Sequence, residues 1–227
     1  NLYMTGSEQR EKIIRFYRGT EGAEVAVKLV DMAEQVQRSQ KFRLSGFLDP
    51  FGQEIAETVA ANYANLRVDF EGGYRGAERC RAIFVHEDFP GTPGGFDMDC
   101  VEARWNGQFA RLSHRDVLGA LMGLGIERDR FGDLLVASDA VKIICDSKMA
   151  EFLLQELTQI GPVGVECQRA ALGSIAPKEE RCKEISATVA SLRVDAVAAA
   201  GFGFSGSAFG AGASSSLIIT EIGRAHV

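Results

Sequence analysis

The sequence predicts an α+β protein whose second half is a ferredoxin-like domain, a four-stranded antiparallel sheet with both helices on one face. Apolar residues recur at helical spacing in some stretches and alternate in others. A stretch rich in Pro and Gly, PGTPGG at residues 90–95, separates two regions of this kind. The elements after it follow the order strand, helix, strand, strand, helix, strand. We therefore expect an N-terminal α+β domain over residues 21–89 and a ferredoxin-like domain, similar in plan to RNA-recognition domains, over residues 96–172.

The overall composition is that of an ordinary globular protein, with 227 residues, 46% hydrophobic residues and a net charge of -6. This charge does not favour wholesale binding to nucleic acid, although a local basic patch would be hidden in the sum. No apolar run is long enough to cross a bilayer, so we expect no membrane partner. The five cysteines are scattered without a C-x-x-C pair, which disfavours a zinc site or a disulfide scaffold.

The first domain is predicted to contain two helices and a pair of strands, after an N-terminal extension at residues 1–20. Residues 21–40 have one apolar face at helical spacing. Asp49 followed by Pro50 is typical of a helix N-cap and first helical position. Two strand patterns at residues 66–70 and 80–86 flank a glycine turn. The apolar face of the first helix comprises Val25, Leu29, Met32, Ala33 and Val36.

The helix that follows Ser113 is the best-defined element of the second domain. Ser113 and Asp116 have the spacing of a capping box, in which each side chain bonds the other residue's backbone N–H. Gly119 and Gly123 lie on one side of the helix, where we expect close approach to a neighbouring backbone. The other elements are predicted as strands at residues 98–105, 134–137, 141–145 and 163–167, and a helix from Ser147 to the Gly161-Pro162 pair, with Phe152 and Ile160 on its apolar face.

A sheet with both helices on one face leaves its other face open, and RNA-recognition domains place stacking aromatics there. Trp105 and Phe109 lie near the first strand of this domain. On the third strand, however, Val141, Ile143 and Cys145 occupy the positions where aromatics are expected. The pattern therefore gives only weak support for RNA stacking on this face.

Three arginines, Arg115, Arg128 and Arg130, border the central helix. They could form a local basic edge that contacts RNA, or they could pair with the neighbouring acids Asp116, Glu127 and Asp129. The sequence does not decide between these alternatives.

The sequence shows no arrangement typical of covalent or metal chemistry. Asp133, after Gly132, fits a turn residue that bonds its own backbone better than a catalytic or metal-binding acid. His86 and His114 have no serine or cysteine nucleophile at a recognisable spacing. We therefore expect a non-catalytic protein without a metal or a small-molecule cofactor.

Three blocks carry a resemblance to a known family: FEGGYRGAERCRAIF, LSHRDVLGALMGLGIERDRFGDLLV and SLRVDAVAAAGFGFS, in this order. The chain resembles the YlmH-like RNA-binding proteins of bacteria, known in cyanobacteria and plastids as photosystem II proteins with a ribosomal-protein-S-four-type domain. The resemblance implies a third, S-four-type domain after the ferredoxin-like one. It also implies structured RNA as partner: ribosomal RNA or transfer RNA, on the large ribosomal subunit, in translation or ribosome quality control.

The S-four-type domain is expected to begin at residues 184–205 and to be truncated. Within it the resemblance implies RNA contacts by Arg193 and Ser205, although Arg193 could instead pair with Asp195 in solvent. Ser205 precedes Gly206, where the family has arginine. Residues 206–227 are expected to be a non-native tail, because EIGRAHV at its end resembles a translated sequencing adapter. The cyanobacterial resemblance suggests the plastid stroma, with the bacterial cytoplasm as the alternative.

A second hypothesis is an enzyme or a small-molecule regulatory module, because the ferredoxin-like scaffold hosts many unrelated functions. This hypothesis requires a pocket with converging polar groups near the Gly132-Asp133 turn or the Gly72-Gly73 turn.

Overall fold

A computed structural model describes residues 6–178. The predicted start of the S-four-type domain with Arg193 and Ser205, and the tail at residues 206–227, lie outside the described residues. Those expectations stay predictions. Within the described part, no helix is both long and apolar enough to cross a membrane.

The first part of the chain is a three-stranded antiparallel sheet packed against helices, in the strand order β1-β3-β2. The prediction of two strands was therefore wrong, because it missed β1. The pairing of β1 with β3 is irregular between Leu44 and Phe47, which interrupts the alternation of buried and exposed side chains along β1. The N-terminal extension also contains a helix, α1, whose Ile13 and Tyr17 are buried in the core. The elements are α1 (Gly6–Tyr17), α2 (Ala23–Ser39), β1 (Phe42–Leu48), α3 (Pro50–Asn62), β2 (Leu66–Glu71) and β3 (Cys80–His86).

The helix features predicted for this region are confirmed. The Asp49 side chain accepts a hydrogen bond of 2.7 Å from the Gly52 N–H, and Pro50 is the first residue of α3. In α2, Leu29, Ala33 and Val36 are fully buried and Val25 and Met32 pack at the edge of the same core. The Pro ring fixes a helical φ, and the Asp49 cap satisfies a free N–H, so the two residues together define the start of α3.

The second part is the predicted ferredoxin-like fold, with the sheet order β5-β6-β4-β9 and antiparallel pairing throughout. Helices α4 and α5 cover one face of this sheet and share one apolar core with it. The elements are β4 (Met98–Arg104), α4 (His114–Gly123), β5 (Phe131–Val136), β6 (Ala140–Asp146), α5 (Ser147–Glu156), β7 (Gln159–Ile160), β8 (Val163–Gly164) and β9 (Glu166–Ala170).

The end of this domain differs from the sequence expectation. Helix α5 ends at Glu156, and Ile160 belongs instead to a small hairpin of β7 and β8 that turns at Gly161, whose φ of +57° favours glycine. Phe152, expected on the apolar face of α5, is 36% exposed. The last strand of the sheet begins at Glu166, a few residues later than predicted, because the hairpin occupies the segment before it.

The N-terminus of α4 has the predicted capping box. The Ser113 hydroxyl accepts from the Asp116 N–H at 3.2 Å, and the Asp116 carboxylate accepts from the Ser113 N–H at 2.8 Å. Two hydrogen bonds lower the pKa of Asp116: the bond from the Ser113 N–H has the larger effect, and the bond from the Ser113 hydroxyl has the smaller one. In contrast, the close backbone approach expected at Gly119 and Gly123 was wrong, because no atom lies within 4 Å of a Cβ built at either residue.

The capping box generates a test of local stability. We expect Ser113→Ala to lower the free energy of unfolding by about 1 kcal/mol, because the Asp116 N–H loses its acceptor. Urea denaturation at neutral pH measures the change. The control is Ser147→Ala at the first position of α5, where the cap is the Asp146 side chain and the Ser147 hydroxyl makes no hydrogen bond to the described residues. Equal stabilities for the two variants would contradict this role for Ser113.

Candidate nucleic-acid interface

The two parts of the chain meet through the carboxylate of Asp133, which lies on β5 where its pairing with β6 is irregular. One carboxylate oxygen accepts from the Tyr74 hydroxyl at 2.6 Å and the Glu78 N–H at 2.9 Å, and the other accepts from the Arg79 N–H at 2.9 Å. Burial is the main cause that raises the pKa of Tyr74, and the hydrogen bond that its hydroxyl donates to Asp133 is the second cause. The expectation that Asp133 bonds its own backbone was wrong, because its partners lie in the loop between β2 and β3.

Two glycines allow the chain segments around Asp133 to approach closely. A Cβ built at Gly132 would lie 2.8 Å from the ring of Phe47, and one built at Gly46 would lie 2.8 Å from the carbonyl oxygen of Asp129. Both distances are too short for a side chain without displacement of the neighbour. Gly132 and Gly46 therefore hold β1 directly against the start of β5.

Of the three arginines proposed to border the central helix, Arg128 is turned into this junction. Its Nη1 donates to the carbonyl oxygens of Phe131 and Gly132, at 2.8 and 3.3 Å. The guanidinium carbon lies 4.4 Å from the centroid of the Phe131 ring, within the range of a cation–π interaction. Burial lowers the pKa of Arg128 to about 10. These contacts give Arg128 a structural role at the junction.

The other two arginines differ in their surroundings. Arg130 forms an ion pair with Asp146, which also caps α5, so its partner is not one of the adjacent acids Glu127 and Asp129. Arg115 is exposed, and no carboxylate of the described residues forms an ion pair with it. The structure therefore does not bring Arg115, Arg128 and Arg130 together as one basic edge.

The sheet face away from the helices differs from the expected open platform. Val141, Ile143 and Cys145 point to the helices and belong to the core, contrary to the expectation that they stand on the open face. The opposite face of β6 carries Ile144, which is fully buried. A Cβ built at Gly73 would lie 3.1 Å from both Ile144 and Leu172, so the β2–β3 loop and the segment after β9 cover this end of the face.

The centre of the same face carries an ionised carboxylate. Glu102 is 7% exposed and accepts hydrogen bonds from Gln168 at 2.9 Å and from Arg104 at 2.8 Å. Both hydrogen bonds lower the pKa of Glu102, and the bond from Gln168 has the larger effect. No aromatic side chain of the described residues stands on this face of the four strands. Arg104 balances the charge of Glu102, and Lys142 lies opposite Glu102 on β6. The face therefore carries paired charges but offers no rings on which RNA bases could stack.

The other end of the sheet lies away from the Asp133 junction. Arg104, the last residue of β4, pairs with Ala140, whereas Met98 at the start of β4 pairs with Asp146 near the junction. Residues 106–112, here called the distal loop, therefore lie at the end remote from Asp133. The loop is anchored by Trp105, whose indole N–H donates to the Ala110 carbonyl oxygen at 3.1 Å.

The distal loop presents polar, aromatic and cationic groups. Phe109 is 85% exposed, and Arg111 and Arg115 follow it as exposed residues that make no ion pair within the described part of the chain. A Cβ at Gly107 would lie 2.7 Å from the Ser138 carbonyl oxygen, so the loop sits against the β5–β6 turn. Between loop and turn lies a cleft of about 430 Å³, lined by Trp105, Asn106, Gly107, Gln108, Ser138 and Asp139.

The two turns named in the enzyme hypothesis do not contribute to either of the two clefts described here. The turns at Gly72-Gly73 and Gly132-Asp133 pack near one another through the bonds to Asp133. A second cleft, of about 560 Å³, lies between α1 and α3. Neither cleft is lined by a residue of either turn, and no group of three metal-ligating side chains occurs in residues 6–178.

Comparison with known protein families divides the chain into the same two domains as the structure. Residues 21–89 match the model of the YlmH N-terminal domain, and residues 92–174 match that of the "putative RNA-binding domain in YlmH". The chain belongs to the YlmH-like family of RNA-binding proteins. The YlmH-like chain is 35% identical over 164 residues to the ribosome-associated protein quality control protein P2 of Bacillus subtilis, a match that covers 72% of this chain and 63% of that relative.

A solved structure shows the same fold. The cell division protein ylmH from Streptococcus pneumoniae has a TM-score of 0.57 to the YlmH-like chain. The two sequences are 23% identical, and the match covers 67% of this chain and 93% of the other.

The placement of the arginines generates a stability test. We expect Arg128→Ala to lower the free energy of unfolding by about 1–3 kcal/mol, because two carbonyl oxygens at the junction lose their donor. Arg115→Ala, at an exposed position without an ion pair in the described part, should change it by less than about 0.5 kcal/mol. Urea denaturation of both variants measures the difference. If Arg128→Ala is as stable as Arg115→Ala, Arg128 has no structural role at the junction.

Proposed function

We propose that this YlmH-like chain is a non-catalytic protein that binds ribosomal RNA or ribosome-bound transfer RNA in ribosome quality control. The observation that carries the proposal is the match of residues 92–174 to the YlmH RNA-binding domain. The Bacillus subtilis relative is named as a ribosome-associated quality control protein, which supports the ribosome as the place of action. The large subunit is the partner that we propose to test first.

The charge distribution supports a local rather than a general contact with RNA. The chain has a net charge of -6, which does not favour a general attraction to a polyanion. Arg111 and Arg115 are exposed at the distal end without an ion pair among the described residues, so their guanidinium groups are accessible to phosphates. We include Arg193 and Ser205 as further proposed contacts, on the family resemblance alone.

Salt dependence tests the proposal. We expect the full chain to bind ribosomal RNA and isolated large subunits, with an affinity that falls as salt rises, because each neutralised phosphate releases counterions. Replacement of Arg115 by Ala should reduce the slope of log K against log salt by about 0.7–0.9, the value for one contact. Filter binding at several salt concentrations measures this slope.

The control is Arg67→Ala, which removes an exposed arginine from β2, where the Arg67 Nε lies 3.5 Å from the Asp69 carboxylate. This variant should retain the wild-type slope. The absence of salt-sensitive binding to both ribosomal RNA and large subunits would contradict the proposed function.

A further inference from the structure

The distal loop holds Phe109 in solvent by a defined set of hydrogen bonds. Phe109 is the most exposed large hydrophobic side chain of the described residues, at 85%. The Asn106 side chain accepts from the Gln108 N–H at 3.0 Å, and the Asn106 carbonyl oxygen accepts from the Phe109 N–H at 3.2 Å. Together with the bond from Trp105 to Ala110, these contacts fix the loop at both ends. A ring held outward at this exposure offers both of its faces to a ligand.

The groups that follow Phe109 are cationic. Arg111 and Arg115 are exposed and make no ion pair in the described part of the chain. The acid nearest in sequence, Asp116, accepts hydrogen bonds from the N–H and hydroxyl of Ser113. Arg115 also interacts electrostatically with Asp116 without forming an ion pair with it. The two guanidinium groups follow the exposed ring within six residues of the chain and are exposed to an anionic ligand.

The cleft beside the loop has a different character. Within the described part, the Gln108 amide and the Ser138 hydroxyl line the cleft without making a hydrogen bond through their side chains. Asp139 also lines it and would repel a phosphate, whereas its carboxylate can accept from an amino group. The cleft therefore suits the polar edge of a base rather than a phosphate. Its volume of about 430 Å³ falls within the range of small-molecule pockets.

We propose that the distal loop binds an unpaired nucleotide, with the base stacked on Phe109, the base edge at the Gln108 and Ser138 cleft, and the flanking phosphates at Arg111 and Arg115. This inference rests on the proposed RNA-binding function and assigns the surface that performs it. An unpaired base is required because the bases inside a duplex already stack on both faces, and a blunt duplex exposes a free face only at its two terminal pairs.

The fluorescence of Trp105 can report binding at the distal loop itself. It is the only tryptophan of the chain, and it anchors the distal loop. We would titrate the full chain with a labelled single-stranded oligoribonucleotide and with a blunt duplex of the same sequence, recording RNA anisotropy and tryptophan emission together. We expect the single strand to bind more tightly and to change the Trp105 emission.

The test variant is Phe109→Ala, which should weaken single-strand binding about tenfold to a hundredfold, since a stacked base is lost. Phe109→Tyr keeps the ring and should retain most of the affinity. The matched control is Phe16→Ala, which removes a ring that is 74% exposed on α1 and should leave the affinity unchanged. Circular dichroism of each variant checks that it is folded.

The possible failures are distinguishable. If RNA binds but Trp105 emission does not change and Phe109→Ala binds as the wild type does, the inference is wrong and the proposed function stands. Equal binding of the duplex, with the same emission change, would also overturn it. If Phe109→Ala weakens binding to large subunits but not to free RNA, the loop contacts a protein and the inference is wrong. The absence of binding to any RNA would overturn both proposals.

Discussion

The carboxylate of Asp133 is the interaction on which the arrangement of the described chain depends. It accepts three hydrogen bonds from the loop between β2 and β3, one from the hydroxyl of Tyr74 and two from backbone N–H groups. Hydrogen bonds to an ionised acceptor are roughly twice as strong as neutral ones. Because Gly132 also packs against Phe47, the first domain is held at one end of the ferredoxin-like sheet.

This junction decides which surfaces of the second domain are available. The loop that binds Asp133 also brings Gly73 over Ile144, which covers one end of the sheet face away from the helices. The centre of that face carries the Glu102 carboxylate rather than aromatic rings. The distal loop lies at the remote end of the sheet, where Phe109 and two arginines are exposed. We therefore place the proposed RNA contact at the distal loop rather than on the sheet face.

Much of the fold was predictable because local chemistry determines it. The Asp49-Pro50 pair and the Ser113 capping box are contacts within four residues, and the order of elements in the second domain is confirmed. The orientation of β6 was not predictable, since apolar residues occupy both of its faces and the alternation does not say which face meets the helices. The role of Asp133 was missed because Tyr74 lies 59 positions away along the chain. The distal loop was only partly predictable: Phe109 was noted, but its exposure depends on the tertiary anchor at Trp105.

The most direct test of the Asp133 junction is equilibrium unfolding of the full chain, followed by two probes. Trp105 emission reports the second domain, whereas most of the helical residues in the described part of the chain, which contribute to the far-UV circular dichroism, belong to α1, α2 and α3 of the first. We predict coincident transitions, and a common shift of both by about 1–3 kcal/mol in Asp133→Asn, which weakens the acceptor for three donors. Separate transitions in the wild type, or an unchanged midpoint in Asp133→Asn, would contradict this account of the structure.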